Sequence, residues 1–149
     1  MERNLMARFN YFDIMAKAQK GYARLMDPLC RKWDLTRNEL DVLLFLANNP
    51  GLDRAADIVS NRGMAKSHVS LSVSTLERKG LLICRKDPAD RRTVHLEPAG
   101  DAGEITRAGR EAQQAFFARI HQDVTPEEFA LWRSISQKIS GNIQTMESE

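Results

Sequence analysis

A mainly α-helical fold with one small β-hairpin is predicted for this 149-residue chain. Apolar residues recur at three- and four-residue steps in successive segments, the period of a helix face. Two helix starts have capping-box spacing, Thr36 with Glu39 and Thr125 with Glu128. Two short apolar runs, Leu81 to Arg85 and Thr93 to Leu96, flank a turn at Asp87-Pro88-Ala89-Asp90, the pattern of a hairpin.

The first helix is expected along Leu5, Phe9, Phe12, Met15, Ala18, Tyr22, Leu25, Leu29 and Trp33. Such a helix is about 40 Å long. That exceeds what a small core covers, so part of it is expected to pack on another chain. Pro28 is expected to kink or break it near its end. The second helix carries Leu40 to Leu46 and stops at Asn48-Asn49-Pro50-Gly51. Asp53 is expected to cap a short third helix through Ala55, Ala56, Ile58 and Val59, followed by a turn at Asn61-Arg62-Gly63. The fourth helix runs from about Ala65 to Lys79 with Val69, Val73 and Leu76 inward, and Gly80 ends it. After the hairpin, Glu97 to Glu104 holds Pro98, Gly100 and Gly103 and is expected to be a loop. The fifth helix carries Ile105, Ala108, Ala112, Phe116 and Ile120. The sixth opens at Thr125-Pro126, presents Phe129, Trp132, Ile135, Ile139 and Ile143, and leaves Met146 to Glu149 as a frayed tail.

The length suits one domain, and 42% hydrophobic with 28% charged residues is ordinary globular composition. No apolar run approaches a membrane span, and no apolar core of a signal peptide follows Met1 to Arg8, so a cytoplasmic protein is expected. Cys30 and Cys84 are too few for a disulfide framework or zinc ribbon, and His68, His95 and His121 are scattered. No metal or cofactor is expected. Phosphate-loop, zinc-protease and nucleophile-elbow motifs are missing, so an enzyme is not expected. The net charge is only +2, but eight basic and three acidic residues lie between Arg62 and His95. That leaves +5 on this segment and −3 on the remainder, the footprint of a nucleic-acid contact inside a near-neutral chain.

Short helix, tight turn, second helix and two-stranded wing make a winged helix-turn-helix. The outward positions of its second helix are Lys66, Ser67, His68, Ser70, Leu71 and Ser74, small polar and basic groups suited to a DNA major groove. Lys66, Ser67 and His68 fall in the first turn, where helix N-termini favour phosphate. The wing tip, Asp90-Arg91-Arg92, is expected to set guanidinium groups over the minor groove, with Asp90 orienting one through a bidentate pair.

At these residues the chain resembles the MarR family of bacterial transcription regulators. The resemblance rests on Leu35-Thr36, on GMAKSHVSLSVSTLERKGLL from Gly63 to Leu82, on DPADRR from Asp87 to Arg92 and on ITRAGRE from Ile105 to Glu111. It implies a homodimer with dimerisation helices in residues 1–34 and 104–145 and a DNA-binding lobe in 35–97. It also implies a pseudo-palindromic double-stranded DNA operator, released by a small aromatic or lipophilic anion. By position, Lys66, Ser67, His68 and Ser70 would contact DNA from the recognition helix, and Arg91 and Arg92 from the wing, with Asp90 in support. Three departures stand out. Leu71 replaces a usual basic or polar residue; its two readings are contact with a thymine methyl and cover for the neighbouring helix, and the second is expected. The stretch Glu97 to Glu104 reads as an insertion, either inert padding or a contact with flanking DNA; it carries no basic residue, and padding is expected. No cysteine lies near Phe12, where the peroxide-sensing branch has one.

Cys30, on an apolar helix side, reads as a small core residue. Cys84, beside Arg85 and Lys86, is the better redox candidate, since cations lower a thiol pKa. Tyr22, Trp33, Trp132, Met15 and Met26 are read as core before effector pocket. Two rival functions remain: a protein-interaction adaptor built on a winged helix, and a thiol switch acting through Cys84.

Overall fold

The computed structural model describes residues 11–147, so the expected stripe positions Leu5 and Phe9 lie outside the described residues. Two compact units divide the chain between Phe116 and Phe117. The described elements run α1 (Tyr11–Lys32), α2 (Arg37–Asn48), α3 (Ala55–Arg62), α4 (Lys66–Arg78), β1 (Leu82–Lys86), β2 (Val94–Pro98), α5 (Ala102–Ile120) and α6 (Pro126–Glu147).

The core of the first unit is built around α2. Leu40 and Val42 to Leu46 are all buried, so this helix is enclosed on nearly every side. Its start is locked by the expected box: Thr36 Oγ1 accepts from Glu39 N–H at 3.2 Å, and Glu39 Oε2 accepts from Thr36 N–H at 3.2 Å. Met26 of α1, Ile58 of α3, Val69 and Leu76 of α4, Leu82 and Leu96 of the hairpin and Ile105 of α5 complete the core. Pro28 does not break α1, which continues to Lys32. The lost N–H lies in the last turns, and Leu29, Cys30 and Trp33 still pack on the core around it.

The end of α4 is fixed by a Schellman motif. Gly80, at φ 71°, donates to Glu77 O at 3.0 Å, and Leu81 donates to Leu76 O at 2.9 Å, which swings Leu81 into the core. The hairpin is antiparallel, with Cys84 opposite Leu96 and Arg85 opposite His95.

Two expectations fail here. Asp53 does not cap α3; Asp57 accepts from Arg54 N–H at 3.0 Å instead, and its carboxylate also holds the Arg54 guanidinium. Nor is Glu97 to Glu104 a loop of padding. β2 runs through Pro98 and α5 begins at Ala102, so the junction is only residues 99–101. Ala99 N–H donates to Leu81 O at 3.0 Å, and Ala102 and Ile105 are fully buried. Gly100 sits at φ 53°, where a Cβ would lie 2.7 Å from Gly80 O. Pro98 and two glycines suggested a loop, but Gly100 serves a tight turn and Gly103 lies in the first helical turn.

In the second unit, Thr125 and Glu128 form the expected capping box on α6. Phe117, His121, Phe129 and Trp132 pack edge-on or tilted, with centroids 4.1–5.8 Å apart. Beyond that cluster α6 buries no residue, and Trp132, Ile135, Ile139 and Ile143 are exposed. Met146 belongs to the helix rather than to a frayed tail.

Candidate nucleic-acid interface

The expected site residues are all solvent-facing. Lys66, Ser67, His68, Ser70 and Ser74 are exposed on α4, and Asp90, Arg91 and Arg92 are exposed between the strands. α4 is held from behind by Val69, Ser72 and Leu76, which are buried toward α2 and α3. Ala65, at the N-cap, supplies no side-chain acceptor. The first N–H groups of α4 thus meet solvent beside Lys66, an arrangement suited to an anion.

The basic residues of this segment divide in two. Lys79 pairs with Glu39 at 3.1 Å and donates to Asp34 O, and Arg85 pairs with Glu97. These fasten the lobe together. Among the described residues, Lys66, Arg91 and Arg92 enter no ion pair, while nearby Lys79, Arg85 and His95 do. Arg78, which donates to Thr75 Oγ1, and Lys86 enter none either, so these five are the cations left for an external anion.

Leu71 is 66% exposed, so it does not cover the neighbouring helix as its apolar character suggested. Asp90 likewise departs from expectation. Its carboxylate accepts from the backbone N–H of Arg92 at 3.0 Å and the hydroxyl of Thr93 at 3.1 Å, and pairs with no guanidinium among the described residues. Asp87 accepts from Ala89 N–H at 2.7 Å and Asp90 N–H at 3.3 Å. The two aspartates therefore set the backbone of the tip, and the arginine side chains are left to solvent.

Sequence reasoning missed what anchors the wing. His95 Nδ1 lies 2.9 and 3.0 Å from the two carboxylate oxygens of Asp53, and His95 Nε2 lies 3.0 Å from Asp87 Oδ2. Leu96 N–H also donates to Asp53 O at 2.7 Å. An imidazolium donates from both nitrogens and suits both carboxylates at once. Hydrogen bonds to Asp87 and then Asp53 accordingly push the His95 pKa up. The His95 bond and the N–H groups of Ala89 and Asp90 hold the Asp87 carboxyl below its usual range. Asp53 and His95 stand 42 positions apart, and no spacing rule links them.

Known proteins agree with this geometry. A model of the MarR family matches residues 33–93. A Thauera aromatica protein, described as a transcriptional regulator for the hcr operon, is 35% identical over 83 residues. That stretch spans 53% of this chain and about half, 49%, of the relative's length. A MarR protein of Peptoclostridium difficile has a similar fold, with TM-score 0.78 and 17% identity over 93% of this chain and 90% of its own. So does Bordetella bronchiseptica BpsR, whose DNA binding is regulated by 6-hydroxynicotinic acid. Its TM-score is 0.68 at 19% identity, over 87% of this chain and 92% of its own. The winged helix, over residues 33–93, is the part that matches the MarR family.

Beside α2 lies a cavity of about 540 Å³, bounded by α1, α2 and α5 and by Arg62 of α3. Tyr22, Phe116 and Met15 give it apolar walls, and Arg37, Asp41 and Arg62 a polar one. Asp41 bridges the two arginines, at 3.1 Å from Arg37 and 3.5 Å from Arg62, and the Arg37 guanidinium stacks 4.4 Å from the Tyr22 ring centroid. The aromatic and methionine set read as core is therefore divided. Met26 is core, and Trp33 and Tyr22 pack against it; Tyr22 also lines the cavity, with Met15. Trp132 belongs to the second unit.

The cysteines are not activated. Burial raises the Cys84 thiol, and the charge and hydrogen bond of Glu77 raise it further, while Arg85 and Lys86 do not lower it. The premise of a Cys84 switch, a cation-lowered thiol, thus fails. Burial also raises the Cys30 pKa. Among the described residues no group of His, Cys, Asp and Glu is arranged for a metal, and no helix is long and apolar enough to cross a membrane.

Proposed function

We propose that this chain is a sequence-specific, double-stranded-DNA-binding transcription regulator. It acts in the cytoplasm as a homodimer, and represses from a pseudo-palindromic operator. One observation carries the reading. An uncapped, polar α4 face and an aspartate-shaped basic wing stand on one lobe, and Lys66, Arg91 and Arg92 enter no ion pair among the described residues. α4 would enter the major groove, and Arg91 and Arg92 would follow the adjacent minor groove.

The uncovered stripe Trp132, Ile135, Ile139 and Ile143 supports a second copy as dimer partner. A dimer reading one face of DNA needs its two α4 helices about one helical turn apart, about 34 Å. The cavity beside α2 suits a small aromatic anion, with its ring against Tyr22 and Phe116 and its charge toward Arg37 and Arg62. An occupant favouring another spacing of the two lobes would lower operator affinity by its differential binding. The regulation of BpsR by 6-hydroxynicotinic acid is in keeping with such an effector class.

The deciding experiment is selection of bound duplexes from a random library at near-physiological salt. An enriched inverted repeat is the expected result. Weak, salt-dependent retention without enrichment would overturn sequence-specific regulation and favour an adaptor that uses the winged helix on another protein.

A further inference from the structure

We infer that Leu71 reads thymine, through contact with its C5 methyl group in the major groove. This rests on the DNA-binding role proposed above. Positions 67, 70, 71 and 74 share one side of α4 by helical period. Three of the four are serines, and all four are exposed. Leu71 is the long one among short neighbours, so its isobutyl group projects farthest from the face. Among the described residues it is left 66% exposed, against 36% for Leu52 and 40% for Ile83, the other exposed large hydrophobics between Leu35 and Pro98.

Single exposed leucines are ordinary on protein surfaces, and chemistry distinguishes this one. Serine hydroxyls both donate and accept, so they tolerate any base edge and discriminate little. A leucine neither donates nor accepts. Pressed against guanine N7 and O6, or the cytosine amino group, it strips water from polar atoms and returns no hydrogen bond. The thymine methyl is the one apolar feature of the major-groove edge. Leu71 therefore rewards thymine and penalises G·C at the base pair beneath it. It supplies discrimination that Ser67, Ser70 and Ser74 do not.

The test uses a duplex selected as above, with each thymine of a half-site replaced singly by uracil, which removes only the methyl group. The full chain is expected to lose about fourfold in affinity at one position per half-site, the worth of one buried carbon. Leu71→Ala is expected to bind thymine and uracil alike at that position, with a Tm close to that of the unaltered chain because the side chain is mostly exposed. A scan with no sensitive position, or a variant that keeps the wild-type sensitivity, overturns the inference while DNA binding stands. If no duplex is enriched, the DNA-binding reading and this inference fail together.

Discussion

Arg92 and His95 lie three residues apart and do opposite work. The Arg92 backbone is tied to Asp90, and its guanidinium enters no ion pair among the described residues. Arg92→Ala is expected to weaken operator binding by about 1–3 kcal/mol and to relax preference at A·T-rich flanks, read by equilibrium titration of flank variants. Unchanged affinity would remove the wing from recognition. His95 is instead held on both sides by Asp53 and Asp87, and its pKa is raised. A raised pKa means that the folded state binds the proton more tightly. The resulting stabilisation is complete below the ordinary histidine pKa of about 6.5 and is lost as pH climbs through the raised value. Asp87, with its pKa lowered, contributes above its ordinary value and loses that contribution as pH falls through the lowered one. The wing anchor is therefore strongest between those limits. Urea unfolding at pH 6 and pH 9 is expected to show a loss of stability at the higher pH that shrinks in His95→Gln. An equal loss in both proteins would assign the pH dependence elsewhere.

At the scale of elements, the junction between β2 and α5 separates a flexible insertion from a built turn. Gly100 has φ 53°, and a Cβ there would stand 2.7 Å from Gly80 O, a backbone atom with little room to yield. Gly100→Ala is expected to destabilise the fold by at least about 1–2 kcal/mol, the penalty of the left-handed region, measured as a lowered urea midpoint at constant m-value. A midpoint that does not move would restore the flexible loop. Legibility in the sequence follows the same division. Short-range rules found what short-range physics fixes: both Thr–Glu capping boxes, the Gly80 stop, the hairpin and the exposed polar face of α4. They failed where a residue's partner is distant in sequence. Pro98, Gly100 and Gly103 look like loop composition until Gly80 and Leu81 are packed against them. Asp53 has the position of a cap, but His95 claims its carboxylate. Cys84 lies beside two cations in sequence, but its side chain meets Glu77.

At the scale of the whole molecule, α6 is a helix with an apolar stripe and no buried residue in the chain. Ile135, Ile139 and Ile143 are each nearly half exposed and so forgo roughly half of a full burial worth about 1.5–3 kcal/mol each. The twofold-symmetric partner proposed above would recover it, and every substitution in such an interface would count twice. Ile139→Asp is therefore expected to weaken dimerisation by at least about 1.5–3 kcal/mol, a factor of roughly 10 to 10², seen by sedimentation equilibrium. The α4 and wing surfaces remain intact in that variant, so each lobe should keep its half-site chemistry while losing the gain from linked binding. Affinity for a full inverted repeat should fall toward that for a single half-site, with Ile139→Leu behaving as the unaltered chain. A wild-type chain that sediments as a monomer and binds the repeat no better than the half-site would refute the dimer and leave the winged helix as a single reading head.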